Sequence, residues 1–148
     1  MSRVRLRCVR VLGDRVDLVL EADPDPAPRE VAERAATRLL AWLPGLEAHR
    51  CSTGDARTFA EEMRDTETPH LLEHVVLELL RRAGSCDGIR GETVWRKGDD
   101  AYLVSIFDDD DALCMRAARL ALQLIDAAFG DGCAPDLDAE IARMVALR

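Results

Sequence analysis

Residues 68–80 read TPHLLEHVVLELL, and this stretch decides how the chain folds. Its apolar residues cover most positions of more than three helical turns, which predicts a helix buried over most of its circumference. Thr68 is the predicted N-cap, and Pro69 suits the first helical position. Gly84 is a stop signal, so the helix is expected to run to Ala83. A helix this apolar needs other elements packed around it.

The segments on either side supply strands and further helices. Residues 3–12 and 15–21 alternate apolar and polar side chains around Gly13-Asp14, which predicts a hairpin. Residues 92–97 and 101–107 predict a second hairpin. Further helices are expected from Val31 to Trp42, over 57–65, from the aspartates at 108–111 to Phe129, and over 136–147, with a loop or short strand at 46–58. The sequence therefore predicts one α+β domain over residues 1–148, with an antiparallel or mixed sheet of two hairpins and helices on one face.

Composition narrows the class of protein and its partners. The chain has 148 residues, and its 20 Lys and Arg against 28 Asp and Glu leave a net charge of −8. This charge argues against a nucleic acid or an anionic membrane as the partner. The sequence has no membrane-length apolar run and no secretory signal, and its five cysteines form no CxxC pair. We therefore expect a cytoplasmic protein with reduced thiols. The composition is compatible with a homo-oligomer.

The central helix carries the pattern His70-x-x-Glu73-His74. Residues four apart on a helix project from one face, so both imidazoles can reach a single metal ion. Glu73 borders the same face and can act on a ligand of that ion. The alternative is a solvated helix face with His–Glu pairs and no metal, in a domain that serves only for interaction.

The H-x-x-E-H pattern resembles the inverzincins, the pitrilysin- and insulysin-type zinc metallopeptidases. The resemblance implies that His70 and His74 bind Zn²⁺ and that Glu73 is the general base. A catalytic zinc site has three protein ligands as a rule, so the third must come from elsewhere in the chain.

A wider pattern resembles the N-terminal domain of cyanophycin synthetases. The matching positions are Leu43-Pro-x-Leu46, His49-x-Cys51-Ser52-x-Gly54, Thr68-x-His70-x-x-Glu73-His74-Val75, Glu78-Leu79, Ala83-Gly84, Gly91-x-Thr93, Tyr102 and the acidic start of the helix at Asp111. In that family the domain holds the polymer of aspartate and arginine, and in some members its H-x-x-E-H site cuts the polymer into primers. Polymer synthesis needs an ATP-grasp and a Mur-ligase-like domain, for which this chain is too short, so we do not expect synthesis.

The resemblance also bears on the third ligand. The family has a glutamate where Asp111 stands, so Asp111 is the expected ligand, with Asp110 and His49 as alternatives. Cys51, beside His49, is the only cysteine near the predicted site. Two family arginines are missing, because the chain has Glu92 within Gly91-x-Thr93 and reads Cys114-Met115 where the family has glycine-arginine.

The sequence thus predicts a zinc-dependent hydrolase of peptide or amide bonds, with His70, His74 and Asp111 as metal ligands and Glu73 as the base. Its substrate would be a peptide or polymer attracted by the acidic surface, such as an arginine-bearing peptide or a cyanophycin-like polymer. The alternative function is a non-catalytic module, derived from the same domain, that binds a polymer or a partner protein.

Overall fold

The computed structural model describes residues 2–23, 25–51, 57–85 and 88–148. Its strands are β1 (Val4–Val11), β2 (Val16–Ala22), β3 (Arg90–Arg96) and β4 (Ala101–Phe107), and its helices are α1 (Arg29–Trp42), α2 (Phe59–Glu62), α3 (Thr68–Arg82), α4 (Asp111–Phe129) and α5 (Leu137–Val145). The predicted element order is confirmed. A 3₁₀ helix, Pro44–Ala48, stands where the sequence predicted a loop or short strand.

The four strands form one antiparallel sheet in the order β1-β2-β4-β3. Each predicted hairpin is present, and the two hairpins join through β2 and β4, where Leu18 pairs with Val104. Leu18, Leu20, Val104 and Ile106 belong to the hydrophobic core. These residues alternate along their strands and so share one face of the sheet, which the helices cover. The predicted α+β class is confirmed, with an antiparallel sheet.

The helix α3 is the centre of the core. Leu72, Val75, Val76, Leu79 and Leu80 have no exposed surface. The helix contacts β3 and β4 on one side and α4 on another. Its remaining side, which carries the histidines, faces the 3₁₀ helix and α2. Burial of this many large apolar side chains, each contributing about 1.5–3 kcal/mol, fixes the position of the histidine-bearing face.

The start of α3 differs slightly from the prediction. Its N-cap is Glu67, and Thr68 is already helical with Pro69 in the first turn. The preceding α2 is shorter than the expected helix over 57–65, and Thr58 caps it in a reciprocal box with Glu61. No helix in the described parts of the chain is both long and apolar enough to cross a bilayer.

Candidate metal centre

Three donor atoms converge where α3 meets the segment after the 3₁₀ helix. The Sγ atom of Cys51 lies 3.4 Å from Nε2 of His70 and 3.5 Å from Nε2 of His74. Among the described histidine, cysteine and acidic residues, these three form the one group whose ligand atoms all lie within 4.8 Å of one another. The predicted pair of histidines is thus brought together with a thiol.

The spacing of these atoms fits a tetrahedral metal ion. Zinc bonds of about 2.0–2.3 Å to imidazole nitrogen and thiolate sulfur imply separations of about 3.3–3.7 Å between neighbouring ligand atoms. Both sulfur–nitrogen distances fall in that range. One thiolate and two imidazoles also match the borderline-soft preference of Zn²⁺.

Neighbouring side chains orient the two histidine rings. The Thr66 hydroxyl pairs with Nδ1 of His70 at 2.7 Å, on the ring edge opposite Nε2. The Phe59 ring stacks on His74 with centroids 3.8 Å apart. Burial, with the nearby His70 and His49, lowers the pKa of His74 to about 3. His74 is therefore neutral near pH 7, as a metal ligand must be.

His49 lies beside the group but does not belong to it. Its Nδ1 lies 3.0 Å from Nδ1 of His74, and its Nε2 lies 3.1 Å from a carboxylate oxygen of Glu78. Burial alone would raise the pKa of Glu78, but hydrogen bonds from Arg81 and His49 lower it to about 2. Both ring nitrogens of His49 are therefore engaged, and His49 contacts His74 at the Nδ1 atom of that ring.

Glu73 sits next to the group, on the side of the sheet. Its Oε2 accepts a hydrogen bond from the Thr93 hydroxyl at 2.6 Å, and the side chain is buried. Burial raises the pKa of this carboxyl. A Cβ atom at Gly91 would lie 2.6 Å from Cγ of Glu73, so the strand can approach the carboxylate only where it has no side chain. Gly91 and Thr93 together place the carboxylate.

The aspartates before α4 occupy a different position. Asp110 caps α4 by accepting from the Leu113 amide, and Asp111 is the first residue of that helix. Asp108 pairs with Ser85, which follows the end of α3. That end, at Arg82, lies about 12 Å along the helix axis from His74. Neither Asp110 nor Asp111 is in the donor group. The first backbone N–H groups of α4 have no partners inside the helix, and carboxylates at this end are favoured because they accept hydrogen bonds from these groups and offset the helix dipole.

Sequence reasoning did not select Cys51 or Glu62 as part of the site. Glu62 is 5% exposed, its Oε2 accepts from the Cys51 thiol at 2.9 Å, and its Oε1 has no hydrogen-bond partner among the residues that the structure describes. The spacing His49-x-Cys51 was the available signal for the cysteine. Ser52 and Gly54 of the same motif lie outside the described residues.

Two adjoining clefts open onto the group. The larger has a volume of about 660 Å³ and lies between α3 and β3, with Arg50 and Cys51 on its rim. The smaller, of about 370 Å³, is lined by Glu62, Asp65 and Glu67. His70 and Thr93 line both clefts, so the donor group is reached from either side.

Two imidazoles, a thiol and a buried carboxylate beside an open cleft define a candidate metal-binding domain of the α+β class. The family model described as cyanophycin synthase-like N-terminal domain matches residues 16–129, and the chain belongs to this family. The matched span contains every residue of the donor group together with Glu73. No curated protein matches the chain.

Proposed function

We propose that the protein is a zinc-dependent hydrolase of peptide or amide bonds, with Zn²⁺ held by Cys51, His70 and His74. Cys51 is thus the third ligand in place of Asp111, which the sequence predicted. The observation that carries the proposal is the convergence of three donor atoms, with both sulfur–nitrogen distances in the tetrahedral range, beside the buried carboxylate of Glu73. Three protein ligands leave a fourth position of a tetrahedral ion open, as in catalytic zinc sites.

The chemistry divides between the metal and Glu73. Bound zinc would supply Lewis-acid activation of water and of an amide carbonyl. Glu73 takes a proton from the attacking water and later delivers it to the leaving amine. The raised pKa of its buried carboxyl makes it a stronger base than an exposed glutamate, and the Thr93 hydroxyl holds one oxygen in place.

Acidic side chains of the smaller cleft favour a substrate with cationic side chains. Glu62, Asp65 and Glu67 line the smaller cleft, where Arg57 already pairs with Asp65. The net charge of −8 attracts a basic chain over longer distances. An arginine-bearing peptide or a cyanophycin-like polymer fits these features.

Hydrolysis by zinc-loaded protein tests the proposal. The substrates are a pool of peptides and a polyaspartate carrying arginine on its side chains, and new amino groups are counted over time. Glu73→Gln keeps the size of the side chain and removes the base, so we expect a loss of at least 100-fold in rate. Glu47→Gln makes the same change at an exposed glutamate of the 3₁₀ helix and should leave the rate unchanged.

Equal rates for wild type and Glu73→Gln would contradict the proposal. Substrate that binds and stays intact would instead support the non-catalytic binding module.

A further inference from the structure

We infer that the substrate backbone binds as an extended strand along the free edge of β3. The inference rests on the proposed function for the identity of its ligand, a peptide chain, and deepens it by naming the mode of recognition. The occupant is a substrate segment of about six residues.

The edge of β3 is open within the described chain. The sheet ends at β3, which pairs with β4 alone. All seven residues of β3 keep a regular register with β4, whereas β1 at the opposite edge has a register shift between Leu6 and Cys8. Every second residue of such an edge turns its N–H and C=O away from the sheet. A regular edge without a bulge can accept another strand.

The larger cleft follows this edge rather than one face of the strand. Every residue from Ile89 to Val94 lines it. Successive side chains of a strand point to opposite faces, so a cleft on one face would be lined by alternate residues only. The opposite wall is formed by His70, Glu73, His74 and Leu77, which recur at helical spacing along α3. The cleft is therefore a groove with a strand edge on one side and the histidine-bearing helix on the other.

The groove passes the proposed site at its middle. Thr93 bonds to Glu73, and Gly91 brings the backbone of β3 against the same side chain. A strand paired with β3 would thus run beside the base and the two histidines. The six residues from Ile89 to Val94, at about 3.3 Å each, give a groove of about 20 Å, the length of six substrate residues.

Charged side chains of both signs line the two clefts. Arg50, Arg90 and Glu92 line the larger cleft, where Arg90 pairs with Glu92, and Asp65 and Glu67 line the smaller one. In strand addition the main chain supplies affinity and side-chain subsites supply selectivity. The groove therefore suits an extended chain that carries both acidic and basic side chains.

The test uses an end-capped octapeptide of alternating arginine and aspartate with zinc-loaded Glu73→Gln protein, which should not cut it. Amide hydrogen exchange is followed by NMR at residues 90–96. We expect exchange to slow at least tenfold at alternate residues, because the intervening amides already bond to β4. The amides of β1 at the opposite edge serve as the internal control and should not change.

A second measurement reads the same periodicity in the ligand. A series of the octapeptide, each member N-methylated at one residue, is titrated by fluorescence anisotropy. Methylation at every second residue should weaken binding about tenfold, and methylation at the residues between should change it less than twofold. Uniform losses along the peptide, no protection of residues 90–96, or no binding at millimolar peptide would each overturn strand addition.

These outcomes are independent of hydrolysis. Alternating protection by a peptide that wild-type protein never cuts would refute the hydrolase and leave the mode of binding standing. Cleavage of the peptide without alternating protection of residues 90–96 would instead support the hydrolase and refute strand addition.

Discussion

The Nδ1 atoms of His49 and His74 lie 3.0 Å apart, so one of these two ring nitrogens donates to the other. The Glu78 carboxylate accepts from Nε2–H of His49, and in the neutral ring this leaves Nδ1 of His49 as an acceptor. His74 therefore donates from Nδ1 and presents the lone pair of Nε2 to the side where Cys51 lies. A carboxylate that orients a ligating imidazole through hydrogen bonds is a common support of metal sites.

The first prediction concerns this support. Glu78→Gln removes the charge that fixes His49, so zinc affinity should fall at least tenfold while the fold is kept. Competition with a zinc chelator measures the affinity, and the exposed Glu47→Gln is the matched control. An affinity equal to that of wild type would show that Glu78 has no part in holding His74.

The second prediction concerns the glycine opposite the base. Gly91→Ala places a methyl group against Glu73 and must displace its carboxylate, so hydrolysis should fall at least tenfold while zinc content stays at the wild-type level. Gly98→Ala, in the β3–β4 turn, meets nothing within 4 Å and should keep full activity. If both variants are equally active, the placement of Glu73 by β3 does not matter for the reaction.

The third prediction concerns pH and the metal-free protein. The folded state holds the pKa of His74 near 3, against 6.5 when unfolded, so unfolding takes up a proton below pH 6.5. The stability that neutral His74 contributes is complete above pH 6.5 and is lost as the pH falls. The free energy of unfolding should therefore decline by up to about 1.4 kcal/mol per pH unit below pH 6.5.

Urea titrations between pH 6.5 and 5 measure this slope. Burial raises the pKa of Glu73 and gives a slope of opposite sign, so the experiment uses the Glu73→Gln background. Adding His74→Gln to that background should flatten the curve. The same slope with and without His74 would show that the pH dependence of the unfolding free energy does not come from His74.

The fourth prediction concerns the helix that positions the site. Leu72 has no exposed surface, and Leu72→Ala should lower the free energy of unfolding by about 2–5 kcal/mol. Met115, on α4, is 46% exposed, and Met115→Ala should change it by less than about 0.5 kcal/mol. Chemical denaturation monitored by circular dichroism measures both, and equal effects would mean that α3 is not the centre of the core.

Much of the fold was predictable because its signals are local. Alternation over 3–12 and 15–21 and the stop at Gly84 each depend on residues close in sequence. The pairing of β2 with β4 joins distant segments, and no local pattern specifies it. The 3₁₀ helix was not predicted, because Pro44 and Gly45, with which it begins, are equally typical of a loop.

The site likewise has one part with a local sequence signal and another part that joins distant segments. His70 and His74 share a face because helical geometry requires it, so their pairing could be predicted from spacing alone. Cys51 lies 19 residues before His70, and a separation of this length does not reveal that the two side chains meet. Asp111 was expected by analogy with a family glutamate, and it is the first residue of α4 and lies outside the group of Cys51, His70 and His74.

The most direct test of the central claim is the zinc content of the purified protein, measured by elemental mass spectrometry after zinc is added and excess removed. Wild type and Asp111→Asn should each hold about one zinc per chain, while His74→Ala and Cys51→Ser should hold far less. Zinc lost from Asp111→Asn but retained by Cys51→Ser would contradict the donor group. Absence of zinc from the wild type would contradict the metal site itself.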